Sequence, residues 1–288
     1  MLTPAAIDRV VAAALSEDAP WGDLTSAAFI PATATARAEL VAREAGVASG
    51  LAVFASAFRL TDSAITVSVL VEDGRWFEPG AVLAVVEGPA RGILTAERVA
   101  LNLTQRMSGI ATLTARYVAE VAHTPARIAD TRKTTPGLRA LERQAVRDGG
   151  GHNHRFSLSD AVMVKDNHLA VLTAGGASVT DALRIAMASL PHTTHVEVEV
   201  DRLDQIEPVL AARVDTIMLD NFSPDDLRRG VAIVAGRAIV EASGGVSLET
   251  VGAIAETGLD VISVGALTHS ARALDLGLDI RVTPADVG

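Results

Sequence analysis

From Ala126 onward, short β-branched runs alternate with segments of helical pattern, and this alternation restricts the fold more than any other feature of the chain. The runs are Arg127-Ile-Ala, Ala161-Val-Met-Val, His195-Val-Glu-Val-Glu-Val, Thr216-Ile-Met-Leu, Ala238-Ile-Val-Glu-Ala and Val261-Ile-Ser-Val. Between them, Ser178 caps a segment with apolar residues at helical spacing. Ser223-Pro-Asp-Asp puts proline at a first helical position and acids in the first turn. A third helical pattern opens at Ser247 and is closed by Gly258. Serial βα units imply a parallel sheet covered by helices.

Polar residues at the run ends choose between an open sheet and a barrel. Asp130, Arg132 and Lys133 follow the first run, and Lys165 follows the second. Glu199 lies late in the third and Asp220 ends the fourth. Glu241 and Ser243 close the fifth, and Gly265 follows the sixth. A barrel brings all these ends to one mouth, whereas an open sheet brings together only the loops at its switch point. The expected fold class is therefore α/β: a barrel, incomplete and TIM-like because fewer than eight units are present.

The first third has a different grammar. Strand-like runs such as Arg37-Ala-Glu-Leu-Val-Ala-Arg and Ala64-Ile-Thr-Val-Ser-Val-Leu are divided by turn signals at Glu72-Asp-Gly and Pro79-Gly80. The hairpin around Trp76 is similar to a lipoyl-type hairpin but has no lysine to carry a cofactor. A long helical segment runs from Thr95 to about Ala122. These features predict a separate N-terminal α+β domain over residues 1–110, with the tail, about 275–288, a candidate to pack with it. The barrel is expected over 111–274.

Composition narrows the function classes. The absence of cysteine removes disulfides, thiolate zinc sites and cysteine nucleophiles. A net charge of -10 and an aromatic content of 3% argue against a nucleic-acid surface. The opening residues lack a basic segment followed by an apolar run, and no apolar run is long enough to span a bilayer. A cytoplasmic enzyme without membrane contact is the expectation.

Against that acidic background, Asp130 to His168 concentrates cations: Arg132, Lys133, Arg139, Arg143, Arg147, His152, His154, Arg155, Lys165 and His168. Arg139, Arg143 and Arg147 recur at helical spacing and read as a solvated helix face. Arg132, Lys133, Arg155 and Lys165 instead sit where apolar runs end, which suits a small, multiply charged anion. The turns Ser243-Gly244-Gly245 and Val264-Gly265-Ala266 follow strands and precede helices, a setting that exposes backbone N–H groups to a phosphate. Glu199 and Asp220 read either as carboxylates paired with cations or as an Mg²⁺ site, and the two readings are compatible. His154 reads as a ligand-contacting imidazole beside Arg155, and His152 and His168 as structural. Lys165 raises the rival reading of a Schiff-base nucleophile, which requires a desolvated amine that neighbouring carboxylates would disfavour. A non-catalytic sugar-phosphate binding protein is a further alternative.

Taken together, these motifs resemble the quinolinate phosphoribosyltransferase family. Asp130-Thr-Arg-Lys-Thr-Thr-Pro-Gly-Leu-Arg, Gly149-Gly-Gly-His-Asn-His-Arg, Val164-Lys-Asp-Asn-His, Val196-Glu-Val-Glu-Val, Met218-Leu-Asp-Asn-Phe, Glu241-Ala-Ser-Gly-Gly and Val264-Gly-Ala-Leu-Thr-His-Ser occur in the family's order. Glu17-Asp-Ala-Pro-Trp-Gly-Asp-Leu-Thr and Leu94-Thr-Ala-Glu-Arg98 are similar to its N-terminal motifs. A paralogue associated with molybdenum transport shares much of this pattern.

The resemblance implies that quinolinate and phosphoribosyl pyrophosphate give nicotinate mononucleotide, pyrophosphate and CO₂, a step of NAD biosynthesis. It implies that Arg132, His154, Arg155 and Lys165 bind the two carboxylates of quinolinate. Thr131 and Lys133 would contact substrate, Lys133 at the phosphoribosyl donor. Glu199 and Asp220 would hold Mg²⁺ and the ribose hydroxyls. Ser243, Gly244, Gly245, Val264, Gly265 and Ala266 would cradle the 5′-phosphate. Lys133, Lys165, Glu199 and Asp220 form the implied catalytic set. Arg98 would reach the substrate of a neighbouring subunit, in a homodimer or higher oligomer with shared active sites.

Overall fold

The computed structural model describes residues 2–283. The chain forms two compact units. The first contains the chain up to Ala115, Thr134–Gly150 and the chain from Leu267 on; the second contains Arg116–Lys133 and Gly151–Ala266.

The first unit opens with α1 (Pro4–Asp18), whose Thr3 cap accepts the Ala6 N–H and whose proline stands in the first turn. Asp23 caps α2 (Leu24–Phe29) in the same way, accepting from Ser26 N–H. The strands are β1 (Thr35–Ala42), β2 (Gly46–Val47), β3 (Thr66–Val69), β4 (Trp76–Phe77) and β5 (Val82–Pro89), with α3 (Leu51–Thr61) between β2 and β3. Alternation in β1 sends Ala36, Ala38, Leu40 and Ala42 inward and leaves Arg37 outside, paired with Glu39 and Glu87. Phe54 and Phe58 of α3 stack edge to face at 4.9 Å, and both are fully buried. Each such side chain contributes about 1.5–3 kcal/mol on burial, so this aromatic pair is a main anchor of the unit. The long helix α4 (Ala90–Val121) begins five residues before the apolar pattern suggests.

The second unit holds six parallel strands: β6 (Arg127–Ala129), β7 (Val162–Val164), β8 (Val196–Val200), β9 (Thr216–Asp220), β10 (Ile239–Ser243) and β11 (Val261–Ser263). All six runs read from the sequence form strands. Their order is β6-β11-β10-β9-β8-β7, so the last strand pairs with the first. That cyclic order is the connectivity of an α/β barrel with one gap, between β6 and β7. His152 partly covers the gap: its N–H donates to Ile128 O at 2.8 Å and its carbonyl accepts the Asp130 N–H at 3.0 Å. The strand edge is thereby blunted.

Helices α5 (Arg139–Asp148), α6 (Asp166–Thr173), α7 (Val179–Met187), α8 (Ile206–Leu210), α9 (Pro224–Val234), α10 (Leu248–Ala255) and α11 (Ala266–His269) follow the strands in turn. Ser178 and Ser223 cap α7 and α9 as their positions suggest. Finally β12 (Leu276–Thr283) returns to the first unit and pairs antiparallel with β1, completing a sheet of order β12-β1-β5-β3. Residues 284–288 of the expected tail lie outside the described residues.

One segment departs from the linear boundary expected near residue 110. Thr134–Gly150, with α5, groups with the first unit. The reason is local packing against α4: a Cβ on Gly149 would lie 2.4 Å from the Ala111 carbonyl oxygen, so only glycine allows the approach. No helix among the described residues is long and apolar enough to cross a membrane.

Candidate active site

Parallel strands deliver their C-terminal ends to one side of a sheet, and register then decides which side chains become neighbours. Val164 pairs with Val198, which sets the following residues, Lys165 and Glu199, side by side. Lys165 Nζ donates to Glu199 Oε2, with the Glu199 side chain 14% exposed. Ser243 is the register partner of Asp220. Asp220 Oδ2 accepts the Asn221 side-chain N–H at 2.7 Å, while Asn221 N–H donates to Ser243 O at 2.9 Å.

Behind β10 the chain turns at Gly244 and Gly245, both with positive φ (+89° and +62°). A Cβ on Gly244 would meet Asn221 Oδ1 at 2.2 Å and Asn221 N at 3.0 Å, so glycine is required both by conformation and by space. After β11, Val264 is buried and donates its N–H to Ala129 O at 2.9 Å, and Gly265 and Ala266 follow at the start of α11. The two glycine turns of the sequence thus stand at the ends of adjacent strands β10 and β11.

Asp130, at the end of β6, is fully buried and organises the next part of the site. Its Oδ1 accepts the His154 N–H at 2.7 Å and its Oδ2 the Asn153 side-chain N–H at 2.6 Å. The Asn153-His154-Arg155 turn is thereby tied to the loop carrying Thr131, Arg132 and Lys133. Thr131 Oγ1 accepts the Lys133 N–H at 3.1 Å, and the Lys133 side chain is exposed. Arg155 donates from Nη1 to Ala161 O at 3.0 Å. Burial, and then the nearby Arg132 guanidinium, pull the Arg155 pKa below its ordinary value. A guanidinium whose charge is disfavoured in this way is one that a bound anion would stabilise.

His154 Nε2 lies between two carboxylates, 3.0 Å from Glu197 Oε2 and 3.4 Å from Glu241 Oε1. Ser263 Oγ donates to the same Glu241 oxygen. Burial alone would depress the imidazole, but the hydrogen bonds to Glu197 and Glu241 more than reverse it and push its pKa up to about 10. Arg155 N–H is directed at Nδ1 at 2.8 Å, which favours a lone pair there and opposes a second ring proton. A neutral ring between two buried carboxylates would leave their charge uncompensated, and that is the larger cost. The upward direction therefore stands. Burial also raises the Glu197 carboxyl, against the lowering effect of His154, and its Oε1 is buried without a partner.

These three residues bring potential metal-binding atoms within 4.8 Å of one another. They are a poor metal site all the same. Nε2 carries the proton shared with the carboxylates, and a ligating imidazole must present a lone pair there while donating from its other nitrogen. Glu199 and Asp220 offer two carboxylates at the ends of adjacent strands, with the Ser243 hydroxyl next to Asp220 in register. An all-oxygen set of this kind fits Mg²⁺.

The sequence-derived residues of the second unit therefore stand at the C-terminal ends of its strands or in the loops that follow. Arg98 belongs to the first unit, on α4, and is exposed. His168 has a structural role: its Nδ1 accepts the Lys165 N–H at 3.0 Å at the start of α6. Sequence reasoning missed the partnership of His154 with Glu197 and Glu241. The available signal was Glu197 alternating with valines, which marked an interior carboxylate in need of a cation.

Two family models match the chain in tandem: the N-terminal domain of quinolinate phosphoribosyl transferase over residues 23–108 and its C-terminal domain over residues 110–279. The probable nicotinate-nucleotide pyrophosphorylase (carboxylating) of Bacillus subtilis (strain 168) is 41% identical over 271 residues, 94% of this chain and 92% of that protein. The nicotinate-nucleotide pyrophosphorylase (carboxylating) of Mycobacterium leprae (strain TN) is 46% identical over 276 residues, 93% of this chain and 94% of that protein. The crystal structure of NadC from Streptococcus pyogenes superposes with a TM-score of 0.93 at 42% identity, covering 99% of each chain. The chain belongs to the quinolinate phosphoribosyltransferase family.

Proposed function

We infer that this chain transfers the phosphoribosyl group of phosphoribosyl pyrophosphate to the ring nitrogen of quinolinate and releases the 2-carboxylate as CO₂. The products are nicotinate mononucleotide and pyrophosphate, and the reaction feeds NAD biosynthesis. The observation that carries this reading is the buried Asp130, which ties the Asn153-His154-Arg155 turn to the loop carrying Arg132 and Lys133, with Lys165 at the end of β7. Arg132, Arg155 and Lys165 carry more cationic charge than one carboxylate requires, and guanidiniums orient carboxylates through paired hydrogen bonds.

In this reading Arg132, Arg155 and Lys165 bind the dicarboxylate, with His154 beside them, Thr131 contacts substrate and Lys133 contacts the donor. Ser243, Gly244, Gly245, Val264, Gly265 and Ala266 offer backbone groups to the 5′-phosphate. Glu199 and Asp220 would hold Mg²⁺, which when bound neutralises charge on the departing pyrophosphate. The ring nitrogen forms its bond to the anomeric carbon as the bond from that carbon to the pyrophosphate oxygen breaks, and pyrophosphate leaves with the electron pair. Most of the acceleration then comes from positioning and from charge placed around a cation-like transition state. The pyridinium nitrogen accepts the electron pair left by CO₂, and a solvent proton replaces the carboxylate at that carbon. The ion pair of Lys165 with Glu199 suits a role in carboxylate binding better than Schiff-base chemistry, which needs a desolvated amine without a carboxylate partner.

A homodimer with shared sites, in which Arg98 reaches a partner's substrate, is part of the same proposal, as is a cytoplasmic location. Large exposed apolar side chains support an assembly: Trp21 is 95%, Leu24 85% and Phe29 80% exposed, and α6 has no buried residue. The deciding assay supplies quinolinate, phosphoribosyl pyrophosphate and Mg²⁺ and measures nicotinate mononucleotide and CO₂. Release of neither product would refute the reading, and borohydride trapping of a substrate adduct on Lys165 would replace it with a Schiff-base lyase.

A further inference from the structure

Arg106 takes no part in the chemistry proposed above, yet its guanidinium joins three stretches of chain within the first unit. Its Nε donates to Glu142 Oε1 at 2.8 Å, and its Nη2 to the same oxygen at 2.5 Å. Nη2 also donates to Thr135 Oγ1 at 2.8 Å and to the Thr268 carbonyl at 3.0 Å. Glu142 closes the arrangement, because its Oε2 accepts the Thr135 N–H at 3.0 Å. The Glu142 side chain is 1% exposed and that of Arg106 30%.

A buried ion pair is a weak stabiliser, since desolvation cancels much of its attraction. It is a good positioner, because the planar guanidinium offers donors in fixed directions. What it positions here is telling. The chain enters the first unit from the second at two places, Lys133 to Thr134 and Ala266 to Leu267. Thr135 lies two residues past the first entry and Thr268 two residues into the second. The segments just before these entries are the Thr131–Lys133 loop and the Val264–Ala266 turn. Thr134 is itself held, its Oγ1 accepting from Arg139 Nε at 2.9 Å. One guanidinium therefore ties down the far ends of both.

We propose that Arg106 and Glu142 are positioning residues for the phosphoribosyl donor, anchoring the ends of the Thr131–Lys133 loop and the Val264–Ala266 turn without touching substrate. This rests on the assignment of Lys133 and of the Val264–Ala266 turn to the donor in the proposed function. Misplacement of a binding group by about 1 Å can cost on the order of a hundredfold, so a loosened anchor acts on turnover without any loss of a contact to ligand.

The test is steady-state kinetics on the full-length protein with each variant held well below its Tm, and circular dichroism confirming that it is folded. Arg106→Met should raise the KM for phosphoribosyl pyrophosphate about tenfold or more and lower kcat as well. Arg106→Lys, which keeps one donor and the charge, should recover part of this. Thr135→Val removes a single acceptor of the network and should raise the donor KM by roughly two- to fivefold. Ser49→Ala removes a 2.6 Å hydrogen bond to Asp148 in the same unit; it should lower Tm and leave the KM unchanged. Lys133→Ala reports on the underlying assignment. A raised donor KM in Lys133→Ala, with Arg106→Lys and Thr135→Val folded and within twofold of wild type, would overturn the positioning role alone. An unchanged KM in Lys133→Ala would overturn the donor assignment and this inference with it. Should Arg106→Met fail to fold, Arg106→Lys and Thr135→Val decide the matter.

Discussion

Replacing Gly244 by alanine tests the geometry of the β10 turn, with its neighbour as an internal control. Gly245 also has positive φ, but a Cβ there meets nothing within 4 Å. Gly245→Ala should therefore cost only the left-handed conformation, about 1–2 kcal/mol, offset by about 0.4–1 kcal/mol from the stiffer unfolded chain. Its net effect should be about 0–1.6 kcal/mol. Gly244→Ala carries the same terms plus a collision, because its Cβ would lie 2.2 Å from Asn221 Oδ1 and 3.0 Å from Asn221 N. The Asn221 side chain can rotate away only by giving up its 2.7 Å hydrogen bond to the Asp220 carboxylate. A hydrogen bond to a charged group is worth about 1.5–3 kcal/mol, so the total becomes roughly 1.5–4.6 kcal/mol. At about 2–4 °C per kcal/mol for units of this size, thermal melts should separate the two variants by several degrees. Asp220 loses its orienting partner in the same event, so Gly244→Ala should also raise the Mg²⁺ concentration needed for half-maximal turnover. Equal melting temperatures for the two variants, with the same metal requirement, would refute this account of the turn.

Other expected outcomes follow from the same site. Nicotinate, lacking the 2-carboxylate, should be turned over on the order of 10⁴-fold less efficiently than quinolinate, since it forgoes one of the two charge pairings the site is built to make; comparable kcat/KM values would contradict the role of Arg132 and Arg155. Asp220→Asn should lose metal-dependent turnover while keeping the wild-type circular dichroism spectrum, and an unaltered Mg²⁺ titration would remove Asp220 from the metal site. The His154 ring has its pKa pushed up to about 10, above its ordinary value near 6.5. Its contribution to stability is thus fully present below about pH 6.5 and is lost as pH rises through about 10; denaturant unfolding at a series of pH values should show that decline in the wild type and a flatter one in His154→Gln. Arg98→Ala and Lys165→Ala proteins should each be nearly inactive, yet recover about a quarter of wild-type activity after subunit exchange in an equal mixture; exchange without recovery would confine Arg98 to its own chain.

Much of the second unit was legible in the sequence because its information is local. The six β-branched runs became β6 to β11, and Ser178 and Ser223 cap the helices they precede. Parallel strands share one direction, so a polar residue late in a run must lie at the common C-terminal side. That is why Lys165, Glu199, Asp220 and Ser243 could be placed before any contact was known. Tertiary structure alone decided which of them meet. The pairing of Lys165 with Glu199 follows from the β7–β8 register, and the enclosure of His154 by Glu197 and Glu241 joins residues from a loop, β8 and β10. The same holds for Thr134–Gly150, which the sequence groups with the barrel and which packs with the first unit through Gly149, and for Glu142, a residue of an apparently solvated basic helix that is buried against Arg106. Periodicity records which face of an element avoids water. It does not record which distant charge will neutralise a buried carboxylate, because that depends on how residues far apart in the chain are brought within hydrogen-bonding distance.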